Sequence, residues 1–156
     1  MKPPRSLTRR RIPLGELLVE AGLITRQQLD QALQSQRVTG HRLGRVLVSM
    51  GLATPEAIAR AVAGQLGIEF VELQAITIPD DVLTVLPETL IRRHQVIPIR
   101  NEGEALVLGM VDPLDILALD DIRRFLNRDL IPAAITLEGF QDAVNRYPAL
   151  ASSIDK

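Results

Sequence analysis

The sequence predicts an α+β fold: a four-helix N-terminal subdomain of two tandem helical hairpins, followed by a small α/β subdomain with a three-stranded, mainly antiparallel sheet. Two observations lead to this prediction. Gly15 and Gly44 lie 29 positions apart (44 − 15), and each follows a leucine and precedes a second glycine by seven residues. After Gly67 the hydrophobic pattern changes to short runs rich in valine and isoleucine, which are typical of strands.

The repeat extends well beyond the glycines. The same offset maps apolar positions onto apolar ones and glutamine onto glutamine: Leu18 to Leu47, Leu29 to Ile58, Leu33 to Val62 and Gln36 to Gln65. This is a tandem duplication, and a repeat of this length usually encodes one supersecondary unit that packs against its copy. Two copies create a pseudo-symmetric surface, which suits a ligand that is itself doubled.

Each copy is expected to form two helices. In the first copy a short helix over 14–20 stops before Gly22, and a second runs to about Gln36. Thr25 and Gln28 have the spacing of a capping box at the start of that second helix.

The second copy repeats this plan with a helix over 43–50 and another that ends at Leu66. Thr54 is the expected N-cap of the latter and Pro55 its first residue.

The remaining chain should alternate between helix and strand. A short strand-like or extended apolar segment at 68–73 precedes one helix from Pro79 to about Pro87 or Thr89. Beyond it we expect a hairpin of strands 95–100 and 105–111 with a four-residue loop, then a helix over 114–127, a strand over 130–137 and a helix over 138–147. The predicted organisation is a flexible basic arm at 1–12, a helical subdomain at 13–67 with motifs at 13–36 and 42–65, a linker at 68–78, a small α+β subdomain at 79–150, and a tail at 151–156.

Composition indicates a globular chain without cysteine chemistry. Hydrophobic residues make up 46% and charged residues 24% of the chain, and cysteine is absent. The two histidines lie in separate segments, so no metal site is expected. Because neither a secretory signal nor a long apolar run is visible, we expect a cytoplasmic protein without direct membrane insertion.

Charge is distributed unevenly between the two parts. Residues 1–67 carry 10 Lys+Arg against 4 Asp+Glu, whereas the remainder carries 8 against 15. The two parts therefore have net charges of +6 and −7, which favours either an anionic partner for the first part or docking of the two parts on each other.

No enzyme signature is visible. The chain lacks a Walker A phosphate loop, a Gly-x-Ser-x-Gly elbow, a Gly-x-Gly-x-x-Gly loop and a cysteine nucleophile, so we expect no catalysis and no cofactor. Four aspartates form an acidic cluster whose spacing does not match a calcium loop. The simpler interpretation is that they are charges at the start of a helix: Asp112, Asp115, Asp120 and Asp121.

Binding is the better-supported class, because each copy ends an apolar helix stripe in an amide. Leu29, Leu33 and Gln36 share one face at i, i+4 and i+7, and Ile58, Val62 and Gln65 repeat it. A surface glutamine is the alternative for either position alone. Arg42 stands directly before Leu43-Gly44 and could present its guanidinium to a phosphate or a guanine edge.

This pattern resembles the duplicated motif of the MshEN family, the N-terminal domain of type II secretion and type IV pilus assembly ATPases. The second copy reads RLGRVLVSMGLATPEAIARAVAGQ over 42–65, and the first reads PLGELLVEAGLITRQQLDQALQSQ over 13–36. The Val-Asp-Pro-Leu-Asp stretch at 111–115 also resembles the second subdomain of the family. The resemblance therefore covers nearly the whole chain after residue 10.

The resemblance implies binding of cyclic di-GMP, whose two guanines and two phosphates would meet the two copies. The motif positions that carry over are the arginine, the leucines and glycines that follow it, the stripe residues and the amides: Arg42, Leu14, Leu43, Gly15, Gly44, Leu29, Leu33, Ile58, Val62, Gln36 and Gln65. The family also places an aspartate of its second subdomain against the ligand-binding arginine, and Asp112 is the matching residue.

One position departs from the motif. Pro13 stands where the family has arginine, so one guanine contact is missing or is supplied by Arg11 or Arg10 from the arm. Loss of one charge-assisted hydrogen bond costs about 1.5 to 3 kcal/mol, or about ten- to a hundredfold in affinity. We therefore expect weakened rather than abolished binding.

The sequence thus predicts a cyclic di-GMP-binding regulatory domain whose partner is an ATPase motor domain or another secretion or pilus component. The alternative is a protein-interaction adaptor of the same machinery that no longer binds the nucleotide, and Pro13 favours it. Nucleic-acid binding through the basic arm is weaker, because five cations make a small footprint beside an acidic second part.

Overall fold

A computed structural model describes residues 13–151, which divide into two compact units at the peptide bond between Ile68 and Glu69. We call residues 13–68 the helical unit and residues 69–151 the sheet unit. The predicted basic arm at 1–12, including Arg11, and tail residues 152–156 lie outside the described residues.

The helical unit contains α1 (Leu14–Glu20), α2 (Arg26–Thr39), α3 (Leu43–Ser49) and α4 (Pro55–Leu66). The capping box predicted for α2 is confirmed: the Thr25 hydroxyl accepts from the Gln28 N–H at 3.0 Å, and the Gln28 side chain accepts from the Thr25 N–H at 2.9 Å. Thr54 caps α4 in the same way, but without the reciprocal bond, because position 57 is alanine.

The backbone at the ends of the short helices repeats closely. After α1, Gly22 has φ 79° and the Leu23 N–H donates to the Leu18 carbonyl at 3.0 Å. After α3, Gly51 has φ 75° and the Leu52 N–H donates to the Leu47 carbonyl, also at 3.0 Å. Both ends are Schellman motifs, in which glycine takes the left-handed conformation. The duplication in sequence is therefore a duplication of local structure.

The packing of these helices differs from the predicted tandem hairpins. The α1 helix packs most extensively on α4, and α2 packs most extensively on α3. Each short helix thus lies against the long helix of the other copy, so the copies interlock. Helix periodicity identifies the apolar face of each helix but not the face that it meets, which explains the error.

The sheet unit follows a mixed order of strands and helices. It consists of β1 (Glu69–Phe70), a 3₁₀ turn (Leu73–Ala75), α5 (Asp80–Leu83), α6 (Glu88–His94), β2 (Val96–Glu102), β3 (Ala105–Met110), α7 (Ile116–Leu126), β4 (Leu130–Ala134), α8 (Leu137–Arg146) and α9 (Pro148–Ala151).

The prediction of a three-stranded, mainly antiparallel sheet is wrong. The sheet has four strands in the order β1-β4-β3-β2, and only β2 and β3 pair antiparallel. The α7 helix carries the chain from the end of β3 back to the start of β4, so these two strands run parallel. The fourth strand, β1, lies inside the segment expected to be a linker and pairs parallel with β4.

Two further expectations are corrected by proline and glycine. One helix was expected from Pro79 to Pro87 or Thr89, but the chain forms α5 and then α6, with Pro87 as the N-cap of α6. The residue before a proline is disfavoured in the helical conformation, so the first helix ends early. In the hairpin, Gly103 with φ 59° tightens the expected four-residue loop to Gly103-Glu104.

The sheet unit has its own apolar core, built from both faces of the sheet and the helices packed on them. A buried hydrogen bond fastens its C-terminal part, because the Tyr147 hydroxyl accepts from the Ile78 N–H at 2.9 Å. No helix within residues 13–151 combines the length and apolarity that crossing a membrane requires.

Candidate functional site

The second motif copy presents its polar residues to solvent. Arg42 is the N-cap of α3, with φ −65° and ψ 148°, and its side chain is exposed. Leu43 and Gly44 follow it and are half-buried. A methyl group placed on Gly44 would meet no atom within 4 Å, so packing within the fold does not require glycine there.

The first motif copy is arranged differently at the equivalent glycine. Gly15 is buried, and a methyl group placed on it would lie 2.5 Å from Leu29 Cδ1 and 3.3 Å from Leu43 Cδ2. A side chain at this position would therefore force the buried Leu29 side chain to shift, and glycine permits its close approach. The structure thus brings together three predicted site residues: Gly15 and Leu29 of the first copy and Leu43 of the second.

The apolar stripes divide between core and surface. Leu29 and Val62 are 2% and 4% exposed and belong to the core, whereas Leu14, Leu33 and Ile58 are half-buried and partly accessible. The half-buried residues are the ones that retain apolar surface for a ligand. Contact of the two core residues with a ligand stays a prediction.

The two amides are also unequal. Gln65 is exposed at the end of α4, whereas Gln36 is half-buried in the last turns of α2. Equivalent positions in the sequence therefore present different amounts of polar surface.

Asp112 lies in the sheet unit, in the turn between β3 and α7, where it is half-buried. Its Oδ1 accepts from the Leu114 N–H at 3.2 Å, so this carboxylate orders its own turn. Asp115 is the N-cap of α7 and accepts from the Ala118 N–H at 3.1 Å, as expected of a charge at a helix start. The ligand contact that the resemblance implies for Asp112 stays a prediction.

The other two aspartates of the acidic cluster do not lie at the helix start. Asp120 and Asp121 occupy the middle of α7 and face Arg123 and Arg124 at 3.0 and 3.7 Å. The helix-start interpretation is wrong for this pair, because Asp120 and Asp121 are the fifth and sixth residues of α7, beyond its first turn.

Two charged features near the motif starts were not identified from the sequence. Arg26 donates two hydrogen bonds to the Glu16 carboxylate, at 2.8 and 2.9 Å, and thereby joins α2 to α1. The hydrogen bond from Arg26 holds the pKa of Glu16 below its usual range. Arg45 directly follows Gly44 and is exposed. The repeat offset could have revealed the charge reversal, since it maps Glu16 onto Arg45, but not the ion pair, since it maps Arg26 onto Pro55.

The part of the chain that the structure describes contains no candidate metal-binding site. No three His, Asp or Glu residues between positions 13 and 151 are placed to hold a metal ion. What the arrangement offers is exposed cations, accessible aliphatic side chains and amides, which suit noncovalent binding of an anion with apolar faces.

Comparison with known proteins places the chain among domains of larger machines. It is 29% identical to the type IV pilus assembly ATPase PilB of Myxococcus xanthus over 87% of this chain, and 43% identical to PilB of Thermus thermophilus over 86%. It is also 36% identical to bacteriophage adsorption protein B of Escherichia coli K12 over 78%. The chain spans only 24%, 19% and 16% of the length of these relatives.

Solved structures show the same architecture. A structure of MshE with cdg matches with a TM-score of 0.77 and 31% identity, and the match covers 87% of this chain and 99% of that one. The N-terminal domain of XpsE matches with a TM-score of 0.68 over 94% of this chain and 97% of that one, at 18% identity, which speaks for the fold alone.

The family model of the MshEN domain matches residues 66–154, which is the sheet unit with the end of α4. The duplicated motifs precede this range, but the MshE match covers 87% of the chain and so extends well into the helical unit. Sequence family and three-dimensional fold agree, and the chain belongs to the MshEN domain family.

Proposed function

We propose that this chain is a cyclic di-GMP-binding regulatory domain. The observation that carries the proposal is its likeness, over 87% of its length, to MshE in a structure with cdg, which we take as cyclic di-GMP. Both motif copies align internally at the residues that the family resemblance assigns to the ligand. Cyclic di-GMP is a doubled anion, and the second motif copy at 42–65 carries three arginines against one glutamate.

The contacts available suit such a ligand without aromatic stacking. The single tyrosine and the three phenylalanines all lie beyond residue 67, outside both motifs. The half-buried side chains of Leu14, Leu33 and Ile58 provide apolar surface for a base, and Arg42 and Gln65 provide exposed polar groups. These residues are our candidates for the contacts that hold the nucleotide.

The partner is proposed from the relatives. Two of them are pilus assembly ATPases, and this chain corresponds to less than a quarter of each. A motor domain or another pilus or secretion component is therefore the expected target of regulation, and the domain itself is expected to be non-catalytic. The phage adsorption protein among the relatives indicates that MshEN-like domains also occur in other settings.

The adaptor function remains the second candidate, and Pro13 is the observation that favours it. If the first copy has lost its cationic contact to the nucleotide, the fold would act as a docking module for a protein instead. In that case the same apolar stripes would dock a secretion or pilus partner and no nucleotide would be required.

Isothermal titration calorimetry separates the two candidates. The chain is titrated with cyclic di-GMP and, as controls, with GTP and cyclic AMP. We expect selective submillimolar binding of cyclic di-GMP, and losses of affinity for Arg42→Ala and Gln65→Ala. Heat absent from all three titrations would reject the nucleotide function and leave the adaptor.

A further inference from the structure

We infer that the two motif copies are unequal half-sites: the second copy supplies the cationic contacts to the nucleotide, and the first is an incomplete half-site that one arginine at position 13 would complete. The inference rests on the proposed function, because it concerns the same ligand. It is drawn from four pairs of positions related by the 29-residue offset.

The first pair is Pro13 and Arg42. Pro13 has φ −59° and ψ 150°, and Arg42 has φ −65° and ψ 148°, so the backbone enters α1 and α3 in the same conformation. The two positions therefore differ in side chain and not in local geometry. An arginine at position 13 would leave the backbone along the same direction as Arg42, and it would need no rearrangement of the fold.

The second pair is Glu16 and Arg45, at which the charge is reversed. Glu16 accepts from Nη1 and Nη2 of Arg26, so the only arginine within the first motif copy at 13–36 is already committed to a carboxylate. Arg45 is exposed beside Gly44. The sequence contains no acidic residue between Asp30 and Glu56, so the second copy begins in an acid-free stretch. The motif ranges 13–36 and 42–65 have net charges of −2 (1 − 3) and +2 (3 − 1), so the charges within the motifs favour an anion at the second copy.

The third and fourth pairs are the glycines and the amides. Gly15 is covered by Leu29 and Leu43, whereas the space above Gly44 is open. Gln36 is half-buried and Gln65 exposed. In both pairs the second copy is the more accessible one, so accessibility and charge point to the same half-site.

The test is a gain of affinity. We expect Pro13→Arg to bind cyclic di-GMP about ten- to a hundredfold more tightly than the native chain, the value of one added charge-assisted hydrogen bond. Pro13→Ala is the matched control, because it removes the proline without adding a cation. Pro13→Arg binding no more tightly than Pro13→Ala would overturn the inference.

Loss-of-charge variants test the other copy. Arg42→Ala should weaken binding about ten- to a hundredfold, and Arg45→Ala about two- to fivefold in a salt-dependent manner. Arg93→Ala, which removes an exposed charge from the sheet unit, should have no effect. A loss of affinity in Arg11→Ala as large as that of Arg42→Ala would mean that the arm supplies the missing cation, and would overturn the inference.

These outcomes distinguish the inference from the proposed function. Binding by Pro13→Arg but not by the native chain would support unequal half-sites while rejecting nucleotide binding by the native protein. Silence from both would overturn both proposals. A circular dichroism melting curve of each variant shows whether a loss of binding is caused by a loss of folding.

Discussion

At the scale of single residues, the two motif glycines have the same sequence context and different structural roles. Gly15 lies under Leu29 and Leu43, whereas Gly44 faces open space. The motif by itself assigns both glycines to a ligand. The structure shows that one of them is already required by helix packing, so a substitution at the two positions should have opposite effects on stability.

Gly15→Ala should destabilise the chain, because its methyl group would overlap the buried Leu29 side chain. Overpacking costs about 1 to 3 kcal/mol, and the higher helix propensity of alanine offsets about 1 kcal/mol of this destabilisation. Gly44→Ala meets no atom and should stabilise the chain by up to about 1 kcal/mol. Urea unfolding of the pair measures both effects. Equal midpoints for the two variants would contradict the packing role of Gly15.

At the scale of helices, the first two helices are joined by the Glu16–Arg26 ion pair at one end of the interlocked bundle. Both side chains are largely exposed, so the pair adds only modestly to stability. The pair nevertheless leaves a signature in the pH dependence of unfolding, because the pKa of Glu16 is lower in the folded chain than its ordinary value.

The sign of that dependence follows from the lowered pKa. A carboxyl group whose pKa falls on folding stabilises the protein above its unfolded pKa, and this stabilisation is lost as the pH falls through the folded value. Glu16→Gln should therefore be slightly less stable than the native chain at pH 7, and the difference should shrink as the pH falls below the ordinary glutamate pKa and vanish below the lower, folded pKa of Glu16. Chemical denaturation across this range measures it, with Glu20→Gln as a control on the same helix. A difference that grows toward acid would refute the assignment.

At the scale of the whole molecule, the chain divides into two units, and the proposed nucleotide contacts belong to one of them. The motifs lie in the helical unit, while the family model matches chiefly the sheet unit. The only tyrosine, Tyr147, is buried in the sheet unit. Tyrosine fluorescence therefore follows the unfolding of that unit, whereas far-ultraviolet circular dichroism follows the helices of both.

Cyclic di-GMP should raise the stability of the helical unit by mass action. At a free concentration one hundred times Kd, the unfolding free energy rises by about 2.7 kcal/mol. The shift should appear in the circular dichroism melt and should shrink in Arg42→Ala at the same ligand concentration. A shift seen only in tyrosine emission, or one of full size in Arg42→Ala, would place the ligand elsewhere.

Local structure was predictable where one or two residues determine it. The cap at Thr25, the helix ends at Gly22, Gly40, Gly51 and Gly67, and the hairpin around Gly103 follow from backbone preferences that are written in the sequence. The candidate motif residues were also visible, because the duplication repeats them. Their inequality was visible only in part, through Pro13.

By itself, the amino-acid sequence determined the duplication, the boundaries of the four helices of the helical unit within a few residues, the family and the residues of the candidate motifs. The tertiary structure alone decided that the copies interlock, that β4 pairs parallel with both of its neighbours, and that Gly15 is buried while Gly44 is open. The physical reason is the range of the interactions. Caps and turns depend on neighbours a few residues away, whereas the partner of an apolar face is chosen by packing among residues distant in sequence.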